Sequence, residues 1–359
     1  MRIDSIILHS IYNYNFMLKQ KVGFDTLDKQ YVYNLSSRGG ALPPDYTNVK
    51  TMALMSYNAY LELNDTNWEK VPYNITKPIN NDLDNVRGYL FKKDNVNIIA
   101  IKGTTINFVP DAFAPLRRTE LVNNTKVIKD YYTFNQEAFN NPTVKNDRFN
   151  DNMFFSCCYY KQSKDYIDYL NNNTVCHTER SKKICNKSCY TESTNIELNY
   201  INIITSIIEN MKKDINFDTE TVVFTGHSLG GFLATVLGMK YNKQVISFDS
   251  PGTRHYINLL NLQGNTEQIY HFSHTADSIA HGHCGVVCKI WGYNLDTECH
   301  IGNTCIYDSK KKLGYFDGIR YHQLKWIIDY ILPHWETDFP ECVYNKECKE
   351  RNCEKWEYD

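Results

Sequence analysis

The segment that most constrains this chain is TVVFTGHSLGGFLATVLGMKY, residues 221–241. TVVFT is β-branched and aromatic and reads as a short buried strand, while FLATVLGMKY reads as a helix. Between them Gly226, Ser228 and Gly230 form G-x-S-x-G. A strand that reverses into a helix over so few residues leaves no space for side chains beside the turn, which gives glycines 226 and 230 a steric reason. Gly231 favours close packing of the helix that follows.

Helix and strand alternate around this junction. NVNIIAIKGTT at 95–105 is a continuous apolar run ended by Gly103, as a fully buried strand is. Residues 199–213 carry Ile201, Ile204, Ile207, Ile208 and Met211 at helical spacing. QVISFD at 244–249 and QIYHFSH at 268–274 read as further strands, and 321–331 as a last helix with Leu324, Ile327, Ile328 and Ile331 inward. The alternation predicts an α/β fold of the α/β-hydrolase kind, a mostly parallel sheet covered by helices with its site at the carboxyl ends of the strands.

With 359 residues, 42% of them hydrophobic, the chain has enough apolar mass for one large core. The expected layout is an N-terminal extension at 1–44, a main domain at 45–335 that opens with a helix from 46 to about 68, and a charged, Cys-rich tail at 336–359. Within the main domain, 106–195 lose any clear period and read as a cysteine-rich insertion. A formal net charge of −2 with mixed signs lacks the basic footprint of a nucleic-acid binder. No apolar run approaches the roughly 20 residues of a transmembrane helix, and residues 1–20 show neither a cleavage site nor a clean apolar core, so no signal or anchor is legible there.

Twelve cysteines fall in clusters, Cys157 with Cys158, Cys176 with Cys185 and Cys189, Cys284 with Cys288, Cys299 with Cys305, and Cys342 with Cys348 and Cys353. Such clusters form disulfides or hold zinc, or stay reduced in a cytosolic chain. Asn34, Asn64, Asn74, Asn123, Asn172 and Asn186 each begin an N-x-[ST] sequon, and glycans belong with disulfides in an oxidising compartment, so disulfides are expected.

A serine at such a turn is a nucleophile only if a histidine takes its proton and a carboxylate orients that histidine. The order on this fold is serine, acid, histidine. Asp277, just past the strand QIYHFSH, and His322, opening the last helix, fit it. Asp249, which also closes a strand, is the rival acid. His300, His334, His271, His274, His281 and His283 are rival bases, while His227 points away from its neighbour in an elbow. The oxyanion needs two N–H donors, one from Leu229 after the nucleophile and one from KGTT, where Thr104 follows Gly103 and has a hydroxyl to add. INFVPDAFAPLRRT at 106–119, with Phe108, Val109, Phe113 and Leu116 ahead of Arg117 and Arg118, reads either as a mobile apolar lid or as core packing. This chemistry requires no cofactor and no metal, and no protein partner is legible.

TMALMSYNAYLE, NDNMFFSCC, GHSLGG, FDSPG, HFSHTAD and GYNLDTECHIGNTCIYD occur in this order over about residues 45–332, and in them the chain resembles the fungal-type class 3 lipases, the autophagic lipases of the vacuole above all. The resemblance implies Ser228 as nucleophile, Asp277 as acid, His322 as base and Thr104 near the oxyanion. It also implies triacylglycerol and phospholipid substrates at a membrane surface, and a vacuolar or lysosomal lumen, or secretion, as the location. A carboxylesterase of small or polysaccharide-linked esters and a membrane-binding protein without turnover are the other readings.

Overall fold

In the computed structural model, which describes residues 45–79, 86–105, 142–155, 198–283 and 297–344 with 293, 295, 347 and 348, the buried runs pair side by side. Short strands at 116–122, 125–131, 184–186 and 355–357 are described by their backbone. In chain order the strands are β1 (Asn74–Pro78), β2 (Gly88–Lys93), β3 (Val96–Ile101), β4 (Leu116–Val122), β5 (Thr125–Tyr131), β6 (Ile184–Asn186), β7 (Thr221–His227), β8 (Gln244–Phe248), β9 (Ile269–His274), β10 (Asn303–Tyr307), β11 (Cys342–Tyr344) and β12 (Lys355–Glu357). One sheet has the order β1-β2-β3-β7-β8-β9-β10-β11. Its five central strands, β3 to β10, are parallel, and antiparallel strands close both edges. The mostly parallel sheet expected of an α/β-hydrolase is therefore present.

β3, β7, β8 and β9 are buried along their whole length or nearly so, which explains why these runs lack polar alternation. Helices cover both faces. α1 (Tyr46–Asn58) lies on the face of Thr225, where the Ser56 and Thr225 hydroxyls meet at 3.0 Å. α3 (Tyr200–Met211) and α4 (Leu229–Tyr241) share a core with Ile99, Ile101, Val222 and Phe224, which alternate along the strands onto the opposite face. α2 (Pro142–Phe155) sends Phe154 and Phe155 to Phe232 of α4, at ring distances of 5.0 and 5.1 Å.

Three elements differ from expectation. α1 stops at Asn58 rather than near Trp68, because the polar LNDTNW stretch turns on its own side chains: the Asp65 carboxylate accepts the Asn67 N–H at 2.8 Å. His322 sits on a 3₁₀ turn, Ile319–His322, ahead of the last helix rather than opening it. That helix, from Leu324, loosens into a π turn at Ile327–Ile331 just before Pro333, which has no N–H to continue the ladder. Leu324, Ile327 and Ile331 are buried, and Ile328 is half-buried.

Within the 106–195 insertion, β4 and β5 form an antiparallel hairpin, α2 follows, and β6 pairs in parallel with β12 from the tail. Residues 106–115, which hold most of the expected lid, and residues 1–44 lie outside the described residues. The tail also supplies β11 to the edge of the main sheet. Among the described residues two disulfides fix it there, Cys299–Cys348 and Cys305–Cys342, the second joining the adjacent strands β10 and β11. Asn64 and Asn74 are exposed, as glycan acceptors must be. Among the described residues, no helix is long and apolar enough to cross a membrane.

Because Cys305–Cys342 closes a span of 37 residues, replacing both cysteines with Ala should cost about 3–4 kcal/mol of unfolding free energy. Denaturant titration checks this. A titration identical to that of the parent would show that the bridge contributes nothing.

Candidate active site

β7 ends at His227 and α4 begins at Leu229, so the reversal falls on Ser228, at φ 56° and ψ −126°. A non-glycine residue in this region is strained and stays there only when its surroundings dictate it. The Ser228 N–H donates to the Phe248 carbonyl and its own carbonyl accepts from the Phe232 N–H, both at 3.0 Å. The flanking glycines leave space that no other residue would. A Cβ on Gly226 would lie 2.4 Å from the Gly230 carbonyl, and one on Gly230 would lie 2.2 Å from the Ile101 carbonyl oxygen. Strand, helix and the end of β3 thus meet around the serine at backbone contact.

The structure brings Asp277 and His322 to this serine. His322 Nε2 is 2.8 Å from Ser228 Oγ, and His322 Nδ1 is 2.8 Å from Asp277 Oδ2. All three residues are buried. With its Nδ1–H given to the carboxylate, the imidazole presents the lone pair of Nε2 to the hydroxyl, as a general base must. Asp277 also accepts from the N–H groups of Ile279 at 2.9 Å and Ala280 at 3.3 Å. Burial opposes its ionisation, but His322, through charge and hydrogen bond, prevails with help from His274 and the Ile279 N–H, and the carboxyl is held down to about 2.

His227 has a part that its position in the motif did not disclose. Its Nε2–H donates to the His322 carbonyl at 2.6 Å, and its Nδ1 accepts from the Tyr60 hydroxyl at 2.8 Å. The residue before Ser228 therefore holds the backbone of His322. Burial, with the nearby His322, pushes His227 down to about 3, so it remains neutral.

The KGTT segment runs alongside Ser228, so close that a Cβ on Gly103 would lie 3.2 Å from the serine Cβ. It is fixed from α2. Asp147 accepts from Lys102 Nζ at 2.9 Å, from the Thr105 N–H at 2.6 Å and from the Tyr200 hydroxyl at 2.9 Å. One turn on, Asp151 accepts from the Thr104 hydroxyl at 2.7 Å. That hydroxyl is engaged rather than free, which leaves the Thr104 backbone N–H as the donor to set beside Leu229. The Lys102–Asp147 pair is almost fully buried, and losing one member of such a pair typically costs about 3–5 kcal/mol.

The rival histidines are occupied elsewhere. His271 bonds Ser247 and the Ile301 carbonyl, and the His300 ring packs tilted against it with ring centres 4.3 Å apart. His274 bonds Ser309 and the Tyr321 carbonyl, His281 bonds the His274 carbonyl, and His283 and His334 are exposed. Among the described residues one set, His227, Asp249 and His322, brings potential metal-binding atoms within 4.8 Å of one another. Both ring nitrogens of each histidine already have hydrogen-bond partners, so the set does not fit a metal ion.

Five buried histidines bear on stability. Burial pushes His227 to about 3 and His255 and His271 to about 4, and it lowers His274 and His300 as well. A histidine depressed in the fold stabilises it above the unfolded value near 6.5, and that stability is lost as pH falls toward the folded value, by up to about 1.4 kcal/mol per pH unit for each group. Asp151 and Asp249, both raised by burial, act in the opposite sense but are fewer. The unfolding midpoint is therefore expected to drop by roughly 10 °C between about pH 7 and pH 5. Thermal scans across that range test it, and a midpoint that rises on acidification would contradict the neutral-histidine assignment.

Residues 160–283 match the family model described as Lipase (class 3). The chain is 28% identical over 365 residues to the protein named "Putative lipase ATG15" of Saccharomyces cerevisiae, across 97% of this chain and 62% of that protein. Its namesake in Vanderwaltozyma polyspora is 30% identical over 312 residues, across 82% of this chain and 49% of that protein. The chain thus spans about three-fifths of the yeast relative's length. Solved structures similar to it include lipase II from Rhizopus niveus, at 14% identity, TM-score 0.33, 73% of this chain and 80% of that one. A triacylglycerol lipase from Penicillium expansum is similar at 12% identity, TM-score 0.34, 74% of this chain and 80% of that one. Residues 160–283 are thus similar to the class 3 lipase family, and almost the whole chain is similar to proteins named as putative lipases.

Proposed function

We propose that this chain hydrolyses fatty acyl esters of triacylglycerols and membrane phospholipids through Ser228, Asp277 and His322, in vacuolar or lysosomal breakdown of vesicles. The observation that carries the proposal is the relay itself, with 2.8 Å from Ser228 Oγ to His322 Nε2 and 2.8 Å from His322 Nδ1 to Asp277. Ser228 Oγ attacks the ester carbonyl carbon as its proton passes to His322. The oxyanion is received by the N–H groups of Leu229 and Thr104, the first of which opens α4 and has no partner within the helix. His322 then protonates the departing alcohol. Water, deprotonated by the same imidazole, releases the fatty acid and restores the serine.

The lipid class is supported by the family and by the relatives' printed name, and the oxidising compartment by the two disulfides. A panel of triacylglycerol emulsion, phospholipid vesicles and a monomeric short-chain ester tests the proposal. The parent should turn over the aggregated lipids faster than the monomer, and Ser228→Ala should lose at least about 10⁴-fold in kcat. Fatty acid release by Ser228→Ala at the parental rate would overturn the mechanism, and indifference to aggregation would move the substrate to small esters.

A further inference from the structure

Asp249 is the one buried carboxyl beside the triad that the mechanism leaves unused. It follows β8 at φ 43°, in the left-handed region that few residues other than glycine, asparagine and aspartate adopt. It is 1% exposed, and among the described residues no side-chain donor reaches either carboxyl oxygen. The groups that face it are His227 from β7, His274 from β9, Asp277 from the loop after β9, and His322 from the 3₁₀ turn. One of its oxygens lies within 4.8 Å of ring nitrogens of His227 and His322. The His274 Nε2 is 3.8 Å away, but its proton is already given to the Tyr321 carbonyl, and His274 Nδ1 bonds Ser309. His227 and His322 likewise have both ring nitrogens engaged. An ionised Asp249 would therefore be a second buried anion with no side-chain donor, next to the anion of Asp277.

We infer that Asp249 is a neutral carboxylic acid whose O–H donates to the Asp277 carboxylate, which makes it a positioning residue one step behind the triad. The inference rests on the assignment of Ser228, His322 and Asp277 above. A single proton resolves the problem of two adjacent carboxyls: it stays on Asp249, and Asp277 keeps the negative charge that faces His322. Burial, then the charge of Asp277 and a hydrogen bond with it, push the Asp249 carboxyl well above the ordinary range, while Asp277 lies well below its own.

Two variants separate the side chain from the backbone. Asp249→Gly relieves the positive φ and removes the donor, whereas Asp249→Asn tolerates the conformation and keeps an N–H donor. Asp249→Gly should lower kcat for ester hydrolysis by about 10- to 100-fold with KM unchanged, the scale of one hydrogen bond to a charged group, and Asp249→Asn should recover about tenfold or more of it. The parent alone has a proton to lose at this site, so the unfolding midpoint of Asp249→Asn relative to the parent should climb as pH is raised from about 5 to about 8. That second readout needs no catalysis and stands even if the ester substrate is misassigned. Full activity in Asp249→Gly would overturn the inference, as would an Asp249→Asn variant as slow as Gly whose midpoint difference is flat with pH.

Discussion

The imidazole of His322 joins parts of the chain that sequence keeps far apart, reaching Ser228 across 94 residues and Asp277 across 45. Those two hydrogen bonds exist only because the sheet fixes their ends. Ser228 stands at the carboxyl end of β7, Asp277 at that of the strand two places along, and β8 between them contributes the carbonyl that pins the serine N–H. The ring is held from behind as well, by the grip of His227 on the His322 carbonyl. Rotation of that imidazole by a rotamer would break both bonds at once.

Charge is handled in two separate buried pockets. On the α2 side, Asp147 is balanced by Lys102 and set in place by Tyr200, and this rigid knot orients the KGTT segment beside the serine. On the opposite side Asp277 is balanced by His322 when the imidazole takes a proton, and otherwise relies on N–H donors from its own loop. Both arrangements place the hydrogen-bonding groups before substrate arrives, so that little reorganisation is left to the reaction itself. The burial of the site strengthens each of these bonds.

The central fold is legible in the sequence because fully buried parallel strands appear as unbroken apolar runs: VNIIAI, TVVFT, QVISF and IYHFSH stand out against their flanks. The edges are not. β1 is exposed throughout, and β11 is three residues long and held to β10 by a disulfide, so neither carries a hydrophobic pattern. Of the site, glycine spacing discloses Ser228, and chain order with strand-end position puts Asp277 and His322 ahead of Asp249 and the rival histidines as the pair to set beside it. The contribution of His227 escapes because it depends on a backbone carbonyl 95 residues away. Asp151 escapes for a similar reason, since nothing in the motif NDNMFFSCC signals that its carboxylate meets Thr104. Asp249 is visible only as a second acid at a strand end. Its conformation and its lack of side-chain donors belong to three dimensions.

The central claim is that Ser228 is a nucleophile activated by His322, and a fluorophosphonate reacts with a serine only in that state. The direct measurement is to label the parent protein, locate the adduct by peptide mass spectrometry, and repeat the labelling on His322→Ala. The account expects the adduct on Ser228, with labelling in the variant slowed by at least about 100-fold. Equal labelling rates in the two proteins, or an adduct on any other serine, would contradict it.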